Sequence, residues 1–268
     1  GRFVFGITRP RKPVLGTELS GTIEDDGADV TSFQPGDAVI GFPGAGFGAH
    51  AEYITMPSDG KIVLKPENLS FEEAAAIPFG ATTAYDFLIN KGKLRAGERV
   101  LINGASGSVG SACVQIAKHF GAEMTAVCSA ANAELVRALG ADDVIDYNTN
   151  DFAKGDARYD MVVDTVGTAA WSRARHALVP KGRMLMIAGK TSDMILGGLK
   201  ARLDGKRLIG GVASEAVSTL RKVVDLAAVS AFHPVIDRNF DFSQMIAAHA
   251  HVDTGHKKGN VVVTVTMQ

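Results

Sequence analysis

The spacing of apolar residues changes part-way along the chain. In the first stretch, short apolar pairs alternate with turn residues. Ile23 follows Gly21, and then come Asp25-Asp26-Gly27, Gln34-Pro35-Gly36-Asp37 and a glycine-rich segment from Gly41 to Gly48. Closely spaced Gly, Pro and Asp clusters between apolar pairs predict a compact, mostly antiparallel β domain. From about Ser70 the texture differs. Ser70-Phe71-Glu72-Glu73 sets a capping hydroxyl before an acidic first turn, which predicts a helix start. Apolar runs then alternate with helical segments: Val100–Ile102, a helix from Gly110 to His119, Met124–Cys128, a helix over Ala133–Leu139, Val144-Ile145, Asp160–Asp164 and Met184–Ile187. Val- and Ile-rich strands alternating with helices predict a parallel, doubly wound sheet, an α/β fold. The last stretch reads as a helix near Leu220, the extended segment Pro234–Asp237, a helix from Ser243 and a closing strand Asn260–Val265, which looks like a return to the first domain.

Composition narrows the class. The chain has 268 residues, room for two domains. Lys and Arg total 28 against 29 for Asp and Glu, so the charge pattern offers no footprint for nucleic acid or an anionic membrane. No apolar run approaches the ~18 residues that a membrane-spanning helix needs. Only two cysteines occur, Cys113 and Cys128, both in apolar stretches. They cannot build a disulfide framework and suit a reducing compartment, read here as the cytoplasm.

The strongest local signal runs from Val100 to Gly110 and on into an amphipathic helix. Gly104, Ala105, Ser106, Gly107, Ser108, Val109 and Gly110 form a turn of small residues between strand and helix. Ala105-x-Gly107-x-x-Gly110 matches the dinucleotide fingerprint with Ala in the first glycine position. Small residues let the backbone approach a pyrophosphate, whose charge meets the helix N-terminus. A hydrolase elbow would need Gly-x-Ser-x-Gly, and here Gly104-Ala105-Ser106-Gly107 is followed by Ser108. Ser106 and Ser108 are read as small donors near phosphate. After the second strand, Cys128-Ser129-Ala130-Ala131-Asn132 carries no carboxylate before Glu134, where an NAD-preferring site places Asp or Glu. Ser129 and Asn132 can donate to a 2′-phosphate instead. The expected cofactor is NADPH, with NADH as the alternative.

These residues, with Leu15–Gly21, Pro35-Gly36-Asp37, Gly48–Tyr53, Ala74–Pro78, Gly80–Tyr85, Leu139–Asp142, Asp164–Gly167 and Gly255–Asn260, resemble the zinc-free quinone oxidoreductase branch of the medium-chain dehydrogenase/reductase superfamily over nearly the whole chain. The resemblance implies a GroES-like β domain split between the two chain ends. Its expected boundaries are 1–80 for the N-terminal part and 215–268 for the return segment, with a Rossmann domain over 81–214. It also implies that Thr82 lies near the nicotinamide ribose, and Ser108 and Val109 against the pyrophosphate. Ser129, Asn132 and Tyr147 would form the 2′-phosphate pocket, although relatives often carry Lys where Asn132 stands. Val166, Ala188, Gly189 and Lys190 would line the nicotinamide side, and Asn260 would close the site. Relatives carry a further N-terminal segment, without which strand edges of the β domain are expected to be unpaired.

The zinc alcohol dehydrogenases have Gly-His-Glu where this chain has Gly16-Thr17-Glu18, and often a four-cysteine lobe, so the resemblance implies no metal. The implied reaction is hydride transfer to a quinone or an α,β-unsaturated carbonyl. The rivals are a zinc-free alcohol or enoyl-thioester reductase on the same scaffold and a non-catalytic NADPH-binding protein. No catalytic residue is assigned. His50 and Tyr53 are the nearest candidates by motif, with Tyr53 read as strand packing. His249, His251 and His256 are read as surface histidines, Met161, Met184 and Met186 as core, and Lys257-Lys258 as a solvated turn. Asp164 is read equally as a turn acceptor or a functional group. The expected partners are a small-molecule acceptor and a second copy of the chain in a homodimer.

Overall fold

The computed structural model describes residues 12–265. Three short strands, β1 (Leu19–Thr22), β2 (Ala38–Gly41) and β3 (Ile62–Leu64), pair antiparallel in the order β1-β2-β3. The expected capping box is present. Ser70 Oγ accepts from the Glu73 amide at 3.1 Å, and Glu73 Oε2 accepts from the Ser70 amide at 2.8 Å. It starts only a short helix, α1 (Phe71–Ala75), because Pro78 begins a second one, α2 (Pro78–Tyr85). Proline suits a first helical position, where its missing N–H costs nothing.

The second unit is a six-stranded parallel sheet. Its strands are β4 (Arg99–Asn103), β5 (Glu123–Cys128), β6 (Asp143–Asp146), β7 (Tyr159–Asp164), β8 (Leu178–Met186) and β9 (Arg207–Gly210), in the order β6-β5-β4-β7-β8-β9. The helices between them are α3 (Ser108–His119), α4 (Ala133–Ala138), α5 (Trp171–Ala177) and α6 (Thr191–Leu203). Strand order reverses between β4 and β7, the switch point where doubly wound sheets open a ligand crevice at their carboxyl ends.

The runs that read as continuously apolar divide cleanly between two cores, because side chains alternate faces along a strand. Val100 and Ile102 of β4, with Met161 and Val163 of β7, pack with Ala112, Cys113 and Ile116 of α3. Leu101, Val162, Met184 and Met186 pack on the other face with Trp171, Ala174 and Ala201. The three methionines are core, as expected. The sheet extends further than the sequence pattern suggested, since α6 and β9 follow β8. β8 itself begins at Leu178 because residues 179–182 bulge between the pairs Tyr159–Leu178 and Met161–Arg183.

The last stretch forms α7 (Val217–Ala228), β10 (Ile236–Asp241), α8 (Met245–Asp253) and β11 (Asn260–Thr264). β10 and β11 pair parallel in a sheet of their own.

One charge pair ties the sheet floor to the chain entering it. Arg183, buried on β8, donates to Gly92 O at 2.5 Å and to both oxygens of Glu98, at 2.5 and 3.0 Å. Burial pushes the Glu98 carboxyl up, but hydrogen bonds from Arg183 and the Arg95 amide bring it below the usual carboxylate range. Its ionised form therefore contributes stability above the unfolded-state value, and that contribution is lost as pH falls through the folded one. Glu98→Gln leaves the Arg183 charge unmatched and should cost about 3–5 kcal/mol at neutral pH. Urea titration would read this as a lower midpoint, and the gap to wild type should narrow as pH falls below the usual carboxylate range and Glu98 takes up its proton.

Candidate dinucleotide site

β4 ends at Asn103, and the chain turns through Gly104–Gly107 into α3. The Gly104 and Ala105 amides both donate to Val127 O at 3.1 Å, pinning the turn to β5. A Cβ on Gly110 would lie 2.0 Å from Gly104 O, so only hydrogen fits where the helix crosses the turn. α3 has no side-chain N-cap, which leaves first-turn amides to face an anion.

At the end of β5, Asn132 Nδ2 donates to Ser106 Oγ at 2.9 Å, joining the two turns. Asn132 Oδ1 is buried and has no hydrogen-bond partner. A buried acceptor without a donor costs ~1–3 kcal/mol, and it lies where a dinucleotide's adenosine ribose is expected. An orphaned acceptor and a cradle closed to any Cβ both fit a dinucleotide. Ser129 is half-buried; Tyr147 is 56% exposed, with its amide on Cys128 O at 3.2 Å.

At the end of β7, the buried Asp164 accepts at Oδ1 from Asn103 Nδ2 (2.9 Å) and from the Val166 (3.3 Å) and Gly167 (3.0 Å) amides. Its Oδ2 accepts from the Ala169 amide at 2.9 Å. Asp164 is thus the acceptor that shapes the loop, and Val166 projects from that loop, 51% exposed, beside Gly104. The Ile187 and Ala188 amides donate to Asp164 O, which brings the end of β8 alongside, and Gly189 packs on Gly167. Lys190 is exposed at the start of α6.

The return segment meets the turn directly. Ser108 Oγ donates to Asn260 Oδ1 at 2.6 Å, Asn260 Nδ2 donates to Val235 O at 3.0 Å, and the Gly259 amide donates to Ser106 O at 2.8 Å. From the other side, α2 packs so closely that a Cβ on Gly80 would lie 2.4 Å from Ser108 Oγ. Thr82, two residues on, is buried and donates its hydroxyl to Pro78 O.

Several expectations are corrected. Lys257 is not in a solvated turn: it is half-buried and its ammonium donates to Gly259 O at 2.5 Å. His251 is not a free surface histidine, since Nε2 lies 2.6 Å from Asp237 Oδ2. Tyr53 does not pack a strand; it is 61% exposed and outside the named strands. His50 stacks edge-on to His249 at 5.7 Å, and burial, with a smaller push from His249, lowers its pKa. Glu18, Asn103 and Lys257 were missed as site residues. Only Glu18 carried a signal, as the Glu that Gly16-Thr17-Glu18 shares with the Gly-His-Glu of the zinc enzymes. A cleft of about 1070 Å³, lined by Glu18, His50, Tyr53, Phe71 and His249, opens on the β domain and reaches the rim through Asn260.

Residues 2–67 match the alcohol dehydrogenase GroES-like domain family, and residues 139–263 match the zinc-binding dehydrogenase family. The mitochondrial NAD(P)H oxidoreductase RTN4IP1 of Danio rerio is 32% identical over 279 residues, spanning 94% of this chain and 72% of that protein. The chloroplastic quinone-oxidoreductase homolog of Spinacia oleracea is 31% identical over 274 residues, spanning 96% and 83%. The solved quinone oxidoreductase from Coxiella burnetii superposes with a TM-score of 0.81 at 27% identity, covering 97% of this chain and 81% of that one. The likeness extends through both the β domain and the doubly wound sheet, and the chain belongs to the quinone oxidoreductase-like branch of the medium-chain dehydrogenase/reductase superfamily.

Proposed function

We propose that this protein is a zinc-independent, NADPH-dependent reductase of quinones or α,β-unsaturated carbonyls, with NADH as the poorer cofactor. The observation that carries the reading is the rim at the carboxyl ends of β4, β5, β7 and β8. There the turn Gly104–Gly110 is bonded to Asn132 and Asn260 and has Val166 beside Gly104; on our reading these residues and Ala188 line one crevice, which Asn260 closes. A reduced nicotinamide held there supplies a hydride to an electron-poor carbon. The chain's part is placement and exclusion of water. Ser108, Val109 and Gly110 hold the pyrophosphate by their amides. Ser129, Asn132 and Tyr147 take the 2′-phosphate end. Thr82, Val166, Ala188, Gly189 and Lys190 surround the nicotinamide. Reduction of such acceptors leaves charge on oxygen, so a metal is not obligatory. Thr17 stands where zinc relatives place His, and both cysteines are buried. Among the described residues no three His, Cys, Asp or Glu side chains gather as a metal site.

We divide the chain at 80 and 214, with the return segment completing the GroES-like domain, a reading supported by the one cleft wall that residues of β1 and β11 share. We also infer a homodimer. β9 is an open sheet edge, and α6 beside it exposes Ile195, Leu196, Leu199 and Leu203 at 58–87%. An unpaired edge flanked by an apolar helix face fits a second copy of the chain. The buried thiols support a reducing compartment, for which the cytoplasm is our reading. No helix among the described residues is long and apolar enough to cross a membrane.

Purified protein with chelator present should oxidise NADPH only when an ortho-quinone or simple enone is added. Acceptor-dependent turnover that chelator abolishes would refute the zinc-free assignment, and absence of turnover across the panel would refute the substrate class. Asn132→Asp sets a carboxylate against the 2′-phosphate and should lower the NADPH/NADH ratio of kcat/KM at least tenfold, about 1.4 kcal/mol; an unchanged ratio would remove Asn132 from the pocket. Leu199→Asp should shift the mass seen by light scattering from dimer to monomer, and a monomeric wild type would end the dimer reading.

A further inference from the structure

Glu18 lies just before β1 in the cleft wall, half-buried. Its Oε2 accepts from the Phe79 amide at 2.7 Å, across 61 residues of sequence. That amide belongs to the first turn of α2, whose own N-cap residue, Ile77, offers no side-chain acceptor. Glu18 therefore caps α2 from another element. The next residue, Gly80, is the one pressed against Ser108 Oγ. A shift at Phe79 passes straight to the first residue of the phosphate-turn helix.

A second arm reaches the same turn. Lys257 holds Gly259 O, and the Gly259 amide holds Ser106 O. The Lys257 ammonium also acts through space on Glu18 and on Asp237 of β10. A carboxylate from the first strand and an ammonium from the last loop thus stand behind the turn from two sides. The other titratable groups lining this cleft are Glu24, Asp25, Asp26, His50, Glu52, Tyr53, Glu72 and His249; Lys257 is the charge that acts on Glu18.

An anion arriving at the turn draws on the Lys257 charge and repels the Glu18 carboxylate, and both effects disfavour ionised Glu18. We propose that Glu18 is a positioning residue for the phosphate turn and that it takes up a proton from solvent when an anionic dinucleotide docks. This rests on the dinucleotide reading above. The carboxyl is poised for the step: burial pushes it up to about 7, against the Phe79 amide and Lys257, which pull it down. The sign for stability follows. A carboxyl raised in the folded state contributes stability below its unfolded value, and that contribution is lost as pH rises through about 7. Glu18→Gln keeps an acceptor for Phe79 and removes the charge, so at pH 8 it should melt no lower than wild type.

The test is calorimetric titration of the whole chain with NADPH, without acceptor, at pH 7.5 in two buffers of different ionisation enthalpy. NADH is run beside it because it lacks the 2′-phosphate, which itself titrates near 6. For a one-unit rise on docking, wild type should take up about half a proton with either cofactor, and Kd should tighten severalfold from pH 8 to pH 6. Glu18→Gln should show neither effect. Binding by wild type without proton uptake, or equal uptake by the variant, overturns the role of Glu18 and leaves the cofactor reading standing. No binding of either cofactor by wild type overturns both. The wild-type stoichiometry decides even if the variant does not fold.

Discussion

The rim depends on one buried carboxylate. Asp164 ends β7 at the switch point, where a strand that feeds the core gives way to the loop 165–169. An ionised carboxylate there is costly unless its lone pairs are filled. They are filled by the Val166, Gly167 and Ala169 amides and by Asn103 Nδ2. The same bonds that satisfy the charge bend residues 165–169 outward and tie them to the end of β4. Asn103 also holds Thr168 Oγ1 at 2.8 Å, and Thr165 Oγ1 donates to Asn103 O at 2.8 Å. The end of β4 and the end of β7 are thereby one object. Val166 stands beside Gly104 because neither strand end can move without breaking bonds to a buried charge.

The phosphate turn is held differently, from outside its own domain. Its first amides are fixed by Val127 O, but its far side rests on Asn260, Gly259 and Gly80, contributed by segments distant in sequence. The return segment meets the sheet unit again where Gln115 Nε2 donates to His233 O at 2.8 Å and the His233 amide donates to Gln115 Oε1 at 2.9 Å. Polar contacts of this kind are worth about 1 kcal/mol each, and they add to an apolar core that the β strands, the return segment and the sheet share. A brace built from Glu18 and Lys257 adds a charge dependence that neutral bonds would lack.

What could be read from sequence follows from where the determinants lie. The strand-turn-helix from Val100 to His119 was legible because period, small residues and the required flanking elements coincide within one segment. The short helix at Ser70 was legible from its capping box, though not its length, which Pro78 sets. α6 escaped because Gly197 and Gly198 sit mid-helix, each costing about 1 kcal/mol relative to alanine; the space left by Trp171 and Leu208 favours glycine at 197. β9 escaped with it. The site's polar partners were the least legible. Glu18 meets Phe79, Ser108 meets Asn260 and Asn103 meets Asp164 across 61 to 152 positions, and no local pattern encodes such a meeting. Lys257 beside Lys258 looks like any solvated pair until the fold buries one and exposes the other.

Among the described residues, two buried side-chain polar atoms lack partners, and their settings give them different meanings. Trp171 Nε1 lies in the second core, where the indole packs against α6 and the strand faces. Its burial is explained by the apolar area it removes from water, which outweighs one unmade bond. Asn132 Oδ1 has no such compensation, because Asn132 contributes little apolar surface and stands at the rim, bonded to the turn through its other amide atom. The amide cannot relieve the cost by rotating, since that exchange would only orphan the nitrogen instead. An acceptor kept dry and unmatched beside a phosphate turn is best matched by a donor that the chain does not itself carry, and a ribose hydroxyl is such a donor. With a 2′-phosphate in its place, the same amide must turn its nitrogen outward and take the Ser106 hydroxyl as its donor, which Ser106 can supply because a hydroxyl both gives and receives. The Ser106–Asn132 pair has the hydrogen-bonding capacity to serve either cofactor, and the proposed preference for the phosphorylated one rests on the absence of a carboxylate between Cys128 and Glu134.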